Sequence, residues 1–210
     1  MRVIISFDDA SANDLEIAHL LLKYGFSDAV FYFPVMPTVV NEPKNRQSLS
    51  FDQQNFIASE FEIGSHTITH QLLTRVPLDV AKSEIFESKK LLEERFSKPI
   101  TKFSYPRGYA NPEIQNLVSE AGYESARSTL VGYIHESENR FFQQTTVHVG
   151  YDRKEYGGKT WYDYSLYMLD QAKDTPDSVY SVFGHGYELA GYPQGLDLFE
   201  KLLGKLQDVV

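Results

Sequence analysis

Apolar and polar residues along the chain fall into two alternating periods. Val3 to Ile5 is a short unbroken apolar run, and Val3 to Ser6 reads as a buried strand. The next segment, "NDLEIAHLLLKYG", changes to helical spacing, with Leu15, Ala18 and Leu22 as its stripe, Asn13 and Glu16 in capping-box positions, and Gly25 at its end. Ala29 to Phe33 is a second strand, and the loop after it carries Pro34, Pro37 and Pro43. A short helix over Asp52 to Ser59 leads into "FEIGSH", where a third strand ends near Gly64. Leu78, Ala81, Ile85, Ser88 and Leu92 recur at helical spacing and predict a long helix from Pro77 to Arg95. "ITKFSY" is the next strand, followed by a helix with Asn111 as N-cap, Pro112 in its first turn and Gly122 beyond its end. Tyr123 to Arg127 and Thr145 to Val149 are further strands. A helix over Trp161 to Ala172, a strand from Val179 to Gly184 and a helix carrying Leu196, Phe199, Leu203 and Leu206 follow.

Strands alternating with helices in this way predict parallel pairing and an α/β domain, and about seven such units favour barrel-like closure over a doubly wound sheet. The 210 residues fit one domain, 1–210, with 42% hydrophobic and 23% charged residues, the balance of an ordinary globular chain. Acidic residues outnumber Lys plus Arg 29 to 20, which repels phosphate backbones and anionic lipid and argues against a nucleic-acid or membrane partner. No apolar run reaches membrane-spanning length, and the N-terminus enters a strand without a leader-like segment, so a cytoplasmic location is expected. Without cysteine, any metal must be held by nitrogen and oxygen donors.

In both architectures the chemistry gathers where strands end. Four such ends hold reactive side chains: "SFDDA" with Asp8 and Asp9, "GSHTITH" with His66 and His70, "YPRGY" with Arg107, and "FGHGYEL" with His185. Two imidazoles and a carboxylate form a common ligand set for a hydrolytic zinc, the second aspartate is then available as base, and His185 as acid. Trp161, Ser165 and Met168 read as a helix face packed on the core, and Glu188 as a solvated residue. His19, His135 and His148 join no constellation, His148 being the next candidate for the acid after His185.

Those segments resemble the polysaccharide deacetylase family, the NodB-homology group of carbohydrate esterases, over residues 1 to about 130. "SFDDA" is similar to the family's Thr-Phe-Asp-Asp-Gly, "HTITH" to its His-(Ser/Thr)-x-x-His, and "YPRG" to its Pro-x-Gly. The resemblance implies a distorted seven-stranded α/β barrel that removes the N-acetyl group from an N-acetylated sugar or polysaccharide precursor. It implies Asp8 as general base, Asp9, His66 and His70 as ligands of a divalent metal, the Arg107 amide facing the oxyanion, and His185 as acid. Zinc is the expected ion, with Co2+, Ni2+ or Fe2+ as alternatives. Three departures stand out. Ala10 replaces a glycine, Ser104 stands where many members carry an arginine that braces the base, and His185 lies between glycines. Whether Arg107 reaches Asp8 instead is left open. Two further readings remain: the same machinery acting on another amide or cyclic imide, and a non-catalytic carbohydrate-binding relative.

Overall fold

The computed structural model describes residues 1–36 and 47–209, so Pro37 and Pro43 of the expected proline loop lie outside the described residues. The central strand β1 (Arg2–Asp8) sorts its side chains by period two. Val3, Ile5 and Phe7 enter the core shared with the outer helices, Phe7 meeting Phe199 edge-on at 5.4 Å. Ile4, Ser6 and Asp8 form the opposite, inward row, and Asp8 is its last member. β2 (Val30–Phe33), β3 (Glu62–Ser65), β4 (Lys102–Ser104), β5 (Ser125–Arg127), β6 (Val147–Val149) and β7 (Val179–Gly184) complete one sheet in the order β5-β4-β3-β2-β1-β7-β6. Every pairing is parallel, so all seven C-terminal ends emerge on one rim. The sheet curls into an incomplete barrel. Between its free edges lies the irregular segment 128–146, bound to β5 through Gln143 N–H to Ala126 O and to β7 through Thr146 N–H to Ser181 O.

The helices follow the apolar spacing with three instructive exceptions. In α1 (Asp14–Lys23) the buried residues are Ile17, Ala18 and Leu21 beside Asp14, while Leu15 and Leu22 are only half-buried. Asn13 makes no side-chain cap; the capping box forms instead at α2 (Phe51–Glu60), between Ser50 and Gln53. In α3 (Leu78–Phe96) Leu78 is 50% exposed and Glu84 is buried, because the segment carrying the two histidines needs its carboxylate there. α4 (Pro112–Glu120) starts as expected, Asn111 Oδ1 accepting from Ile114 N–H at 2.9 Å. In α5 (Trp161–Lys173) Trp161, Ser165 and Met168 are buried, as the packing reading required. A six-residue helix α6 (Gly186–Gly191) not foreseen from the pattern follows His185, and α7 (Gly195–Gln207) buries Phe199, Leu203 and Leu206. Among the described residues no helix is long and apolar enough to cross a membrane.

Candidate active site

β1 ends at Asp8, and the next two residues, Asp9 (φ 82°) and Ala10 (φ 52°), turn into the left-handed region. This turn breaks strand alternation, which is how adjacent carboxylates come to face one groove. It also gives the glycine-to-alanine departure a physical meaning: alanine occupies a conformation that favours glycine, a strain met here at a site. The turn is held from behind by fully buried Asp14, which accepts from Ser11 N–H (2.9 Å), Ser11 Oγ–H (2.8 Å) and Gly186 N–H (3.0 Å). It thereby ties the loop after Asp9 to the loop after His185. Burial pushes the Asp14 carboxyl up to about 7, although Ser11 and Gly186 donate to it.

His66 follows β3, and His70 ends the turn after it with φ 57°. Glu84 of α3 fixes this turn by accepting from Ile68 N–H (2.8 Å), Thr69 N–H (2.9 Å) and Thr69 Oγ–H (2.6 Å). His66 Nδ1 lies 2.7 Å from Ser104 O. A carbonyl can only accept, so Nδ1 carries the proton and Nε2 presents its lone pair. Burial, with His66 beside it, holds the His70 imidazole down to about 4, so His70 is neutral and able to ligate. Both Nε2 atoms stand 3.5 Å from Asp9 Oδ1. That is too long for a good hydrogen bond, whereas donors about 2.1 Å from one tetrahedral ion would be about 3.4 Å apart. The donor set and its spacing fit a divalent cation.

Asp8, 2% exposed, lies within reach of Arg127 at the end of β5, whose Nη2 is 2.5 Å from each carboxylate oxygen. Ser104 Oγ donates to Asp8 Oδ2 at 3.3 Å and accepts from Arg127 Nη2 at 2.8 Å. The guanidinium is sandwiched between the Phe183 and Tyr32 rings, 4.7 and 5.2 Å from their centroids. Burial raises the Asp8 pKa, but Arg127, with His66 and His185, outweighs it and holds the carboxyl below its ordinary value. The brace is therefore Arg127 and not Arg107, whose exposed side chain lies in the groove without reaching Asp8. Arg107 sits at φ 58° inside the Pro106–Gly108 turn.

His185 closes the opposite side, with Nε2 3.5 Å from Asp9 Oδ2. Its Nδ1 is 2.6 Å from Glu188 Oε2, the same oxygen that lies 2.6 Å from His148 Nε2. Glu188 is depressed well below the usual carboxylate range, burial being outweighed by His185 and by hydrogen bonds from both imidazoles. It can only accept, so both ring nitrogens facing it are donors. Burial lowers His148, whereas for His185 the Glu188 and Asp9 charges overcome burial and raise it to about 10. Two expectations are corrected here. Glu188 is a half-buried acceptor, not a solvated residue, and His148 belongs to the site. These three residues could also be considered as a second metal set. Their 2.6 Å separations are those of charge-assisted hydrogen bonds, shorter than donors around an ion adopt.

The groove over these residues encloses about 840 Å3. The polysaccharide deacetylase family model matches residues 1–126. The chain belongs to the polysaccharide deacetylase family. Among its relatives, a Bacillus subtilis (strain 168) protein, YxkH, whose name assigns it provisionally to the polysaccharide deacetylases, is 30% identical over 132 residues. That match covers 62% of this chain and 45% of the relative, so the chain spans about half the length of the curated protein it resembles. Among solved structures, the CE4 domain of a multidomain xylanase from the hindgut metagenome of Trinervitermes trinervoides superposes with a TM-score of 0.65 at 15% identity, over 99% of this chain and 83% of that one. The Bacillus anthracis protein BA3943, described as a CE4 family pseudoenzyme, gives 0.65 at 14% identity, over 99% and 60%. Streptococcus pyogenes deacetylase PplD, solved with acetate, gives 0.57 at 17%, over 67% and 62%. At these identities the structures establish the fold, a deacetylase barrel, for this family member.

Proposed function

We propose that this chain is a metal-dependent N-deacetylase acting on an N-acetylated sugar or polysaccharide precursor, with residues 1–210 as one catalytic domain. The observation carrying this reading is the convergence of Asp9, His66 and His70 donors, with an ionised carboxylate on one side and an imidazole on the other. Asp9, His66 and His70 would hold a divalent cation, with zinc the expected ion, and Co2+, Ni2+ or Fe2+ equally compatible with nitrogen and oxygen donors. Bound there, the cation supplies Lewis acidity to the acetamide carbonyl and to water. Asp8 accepts the proton of the attacking water, and Arg127 and Ser104 keep its lone pairs aimed and ionised. The Arg107 amide faces the developing oxyanion. His185, held by Glu188 with Nδ1–H fixed, delivers a proton from Nε2 to the departing nitrogen.

The likeness to a pseudoenzyme makes a non-catalytic carbohydrate-binding protein the second reading. The absence of an arginine at Ser104 supported it; Arg127 in contact with Asp8 removes that support. Acetate release is the deciding measurement. The metal-loaded protein should release acetate from at least one N-acetylated sugar, and chelation should abolish it; a panel of other amides and cyclic imides tests the remaining alternative. Sugar binding without turnover of any substrate would overturn the enzyme reading.

His185 gives a pH prediction. An acid with a raised pKa stays protonated through neutral pH, so its loss of the proton sets the alkaline limb of the rate profile. Glu188→Gln removes the charge that raises His185, so that limb should move to lower pH with the acid limb unchanged. An unmoved alkaline limb would remove His185 from the acid role.

A further inference from the structure

The net charge of −9 disfavours anionic partners for the molecule as a whole, yet two cations of the groove stand without an acidic partner. Each groove acid has a partner. Asp8 holds Arg127, Glu188 the two imidazoles, and Asp9 faces His66, His70 and His185. Asp152 accepts from Trp161 N–H (2.7 Å) and Tyr192 Oη–H (2.9 Å), and Glu155 lies 3.4 Å from Arg153 Nε. The cations are different. Arg153 is occupied by Glu155 and by Thr129 O at 3.1 Å, but the Arg107 guanidinium and the Lys154 ammonium, both exposed, make no hydrogen bond or ion pair among the described residues. They belong to one wall. Thr129 Oγ–H donates to Arg107 O at 3.2 Å while Thr129 O receives Arg153, the residue before Lys154. Gly108 lets this wall close up, because a Cβ there would stand 2.2 Å from Thr129 Oγ1. The groove's charged side chains that lack a partner are thus two cations, on the wall beside the amide assigned to the oxyanion. The volume of about 840 Å3 leaves room for a substituent beyond the reacting sugar.

We propose that the substrate carries a phosphate or carboxylate next to its acetamido sugar, and that Arg107 and Lys154 recognise this anion. The inference deepens the deacetylase reading and rests on it for the identity of the sugar. An arginine fork suits the paired oxygens of either group, and the ammonium adds a point charge. Electrostatic recognition in an open groove weakens with salt.

Calorimetric titration of the metal-loaded Asp8→Asn protein tests this without turnover, using N-acetylglucosamine, N-acetylglucosamine 1-phosphate and N-acetylmuramic acid at low and high NaCl. Either anionic probe should bind about tenfold or more tighter than the neutral sugar, with a preference that shrinks at high salt. The probe that does so identifies the anion as phosphate or carboxylate. Lys154→Gln should reduce the preference several-fold while leaving affinity for the neutral sugar unchanged, and Arg107→Gln should reduce it further. Equal binding of all three probes would overturn the proposal. So would a preference that survives both substitutions, since the anion would then be bound elsewhere, at the metal for example. Acetate assays on the wild-type protein separate the two readings. Acetate release with no anion preference overturns this inference alone, while anion-selective binding with no acetate release from any probe overturns the deacetylase reading alone.

Discussion

Asp8→Asn should retain the metal content of the wild-type protein and lose about 100- to 10,000-fold in acetate release, the range for removal of a general base. The substitution keeps the size of the side chain and one oxygen to accept from Arg127 and Ser104, so the buried contact is changed in charge and hardly in shape. What it removes is the ability to take a proton, which Arg127 maintains in the wild type by holding the carboxyl ionised. The neighbouring residue should behave differently. Asp9 Oδ1 is the atom on which both histidine Nε2 atoms converge, so Asp9→Ala should lower metal occupancy sharply as well as activity. Metal analysis by mass spectrometry, run beside acetate assays on both purified variants, separates the roles. Equal metal loss in the two, or full activity in Asp8→Asn, would sink the division of labour between base and ligand.

Much of this arrangement was legible in the sequence because it obeys local rules. Apolar runs and helical spacing marked all seven strands and the long helices, and parallel pairing placed Asp8, Asp9, His66, His70 and His185 on one rim. What escaped depends on pairing across the sheet or on burial. Glu188 follows His185 by three residues, a spacing that makes neighbours on a helix, but α6 has no apolar stripe to announce it. His148 lies in a strand of only three residues, and its partner is 40 positions away. Glu84 interrupts the stripe of α3 and reads as surface until the turn it holds is seen. Arg127 lay in plain view at a strand end, in "ESARST", and the rule that selected the other four ends applies to it equally. The missing link was the register. Ser104 and Arg127 are direct Cα partners across β4 and β5, so a guanidinium absent from one strand is supplied by the next.

That register makes Arg127 the most consequential residue outside the proposed ligand set. Asp8 and Arg127 are 2% and 6% exposed, and removing one partner of a buried ion pair leaves the other uncompensated at a cost of about 3 to 5 kcal/mol. Arg127→Met should lower unfolding stability by that order at neutral pH, measured by urea denaturation. The pH dependence should change sign. In the wild type the Asp8 pKa is lowered by folding, so its contribution is present above the ordinary value of 3.8 and is lost as pH falls through the depressed folded value. Without the guanidinium, burial dominates and the folded pKa lies above the unfolded one. The native state then binds the extra proton, and stability falls as pH rises from about 4. Turnover should follow the same logic, the acid limb of its profile moving to higher pH as the base becomes harder to ionise. A further variant separates bracing from packing. Ser104→Arg combined with Arg127→Ser returns a guanidinium to the partner position across the same strand pair, and should recover a large part of both stability and turnover. If Arg127→Met keeps wild-type stability and an unmoved acid limb, or the exchange recovers neither property, then the charge of Arg127 does not hold Asp8 in its working state.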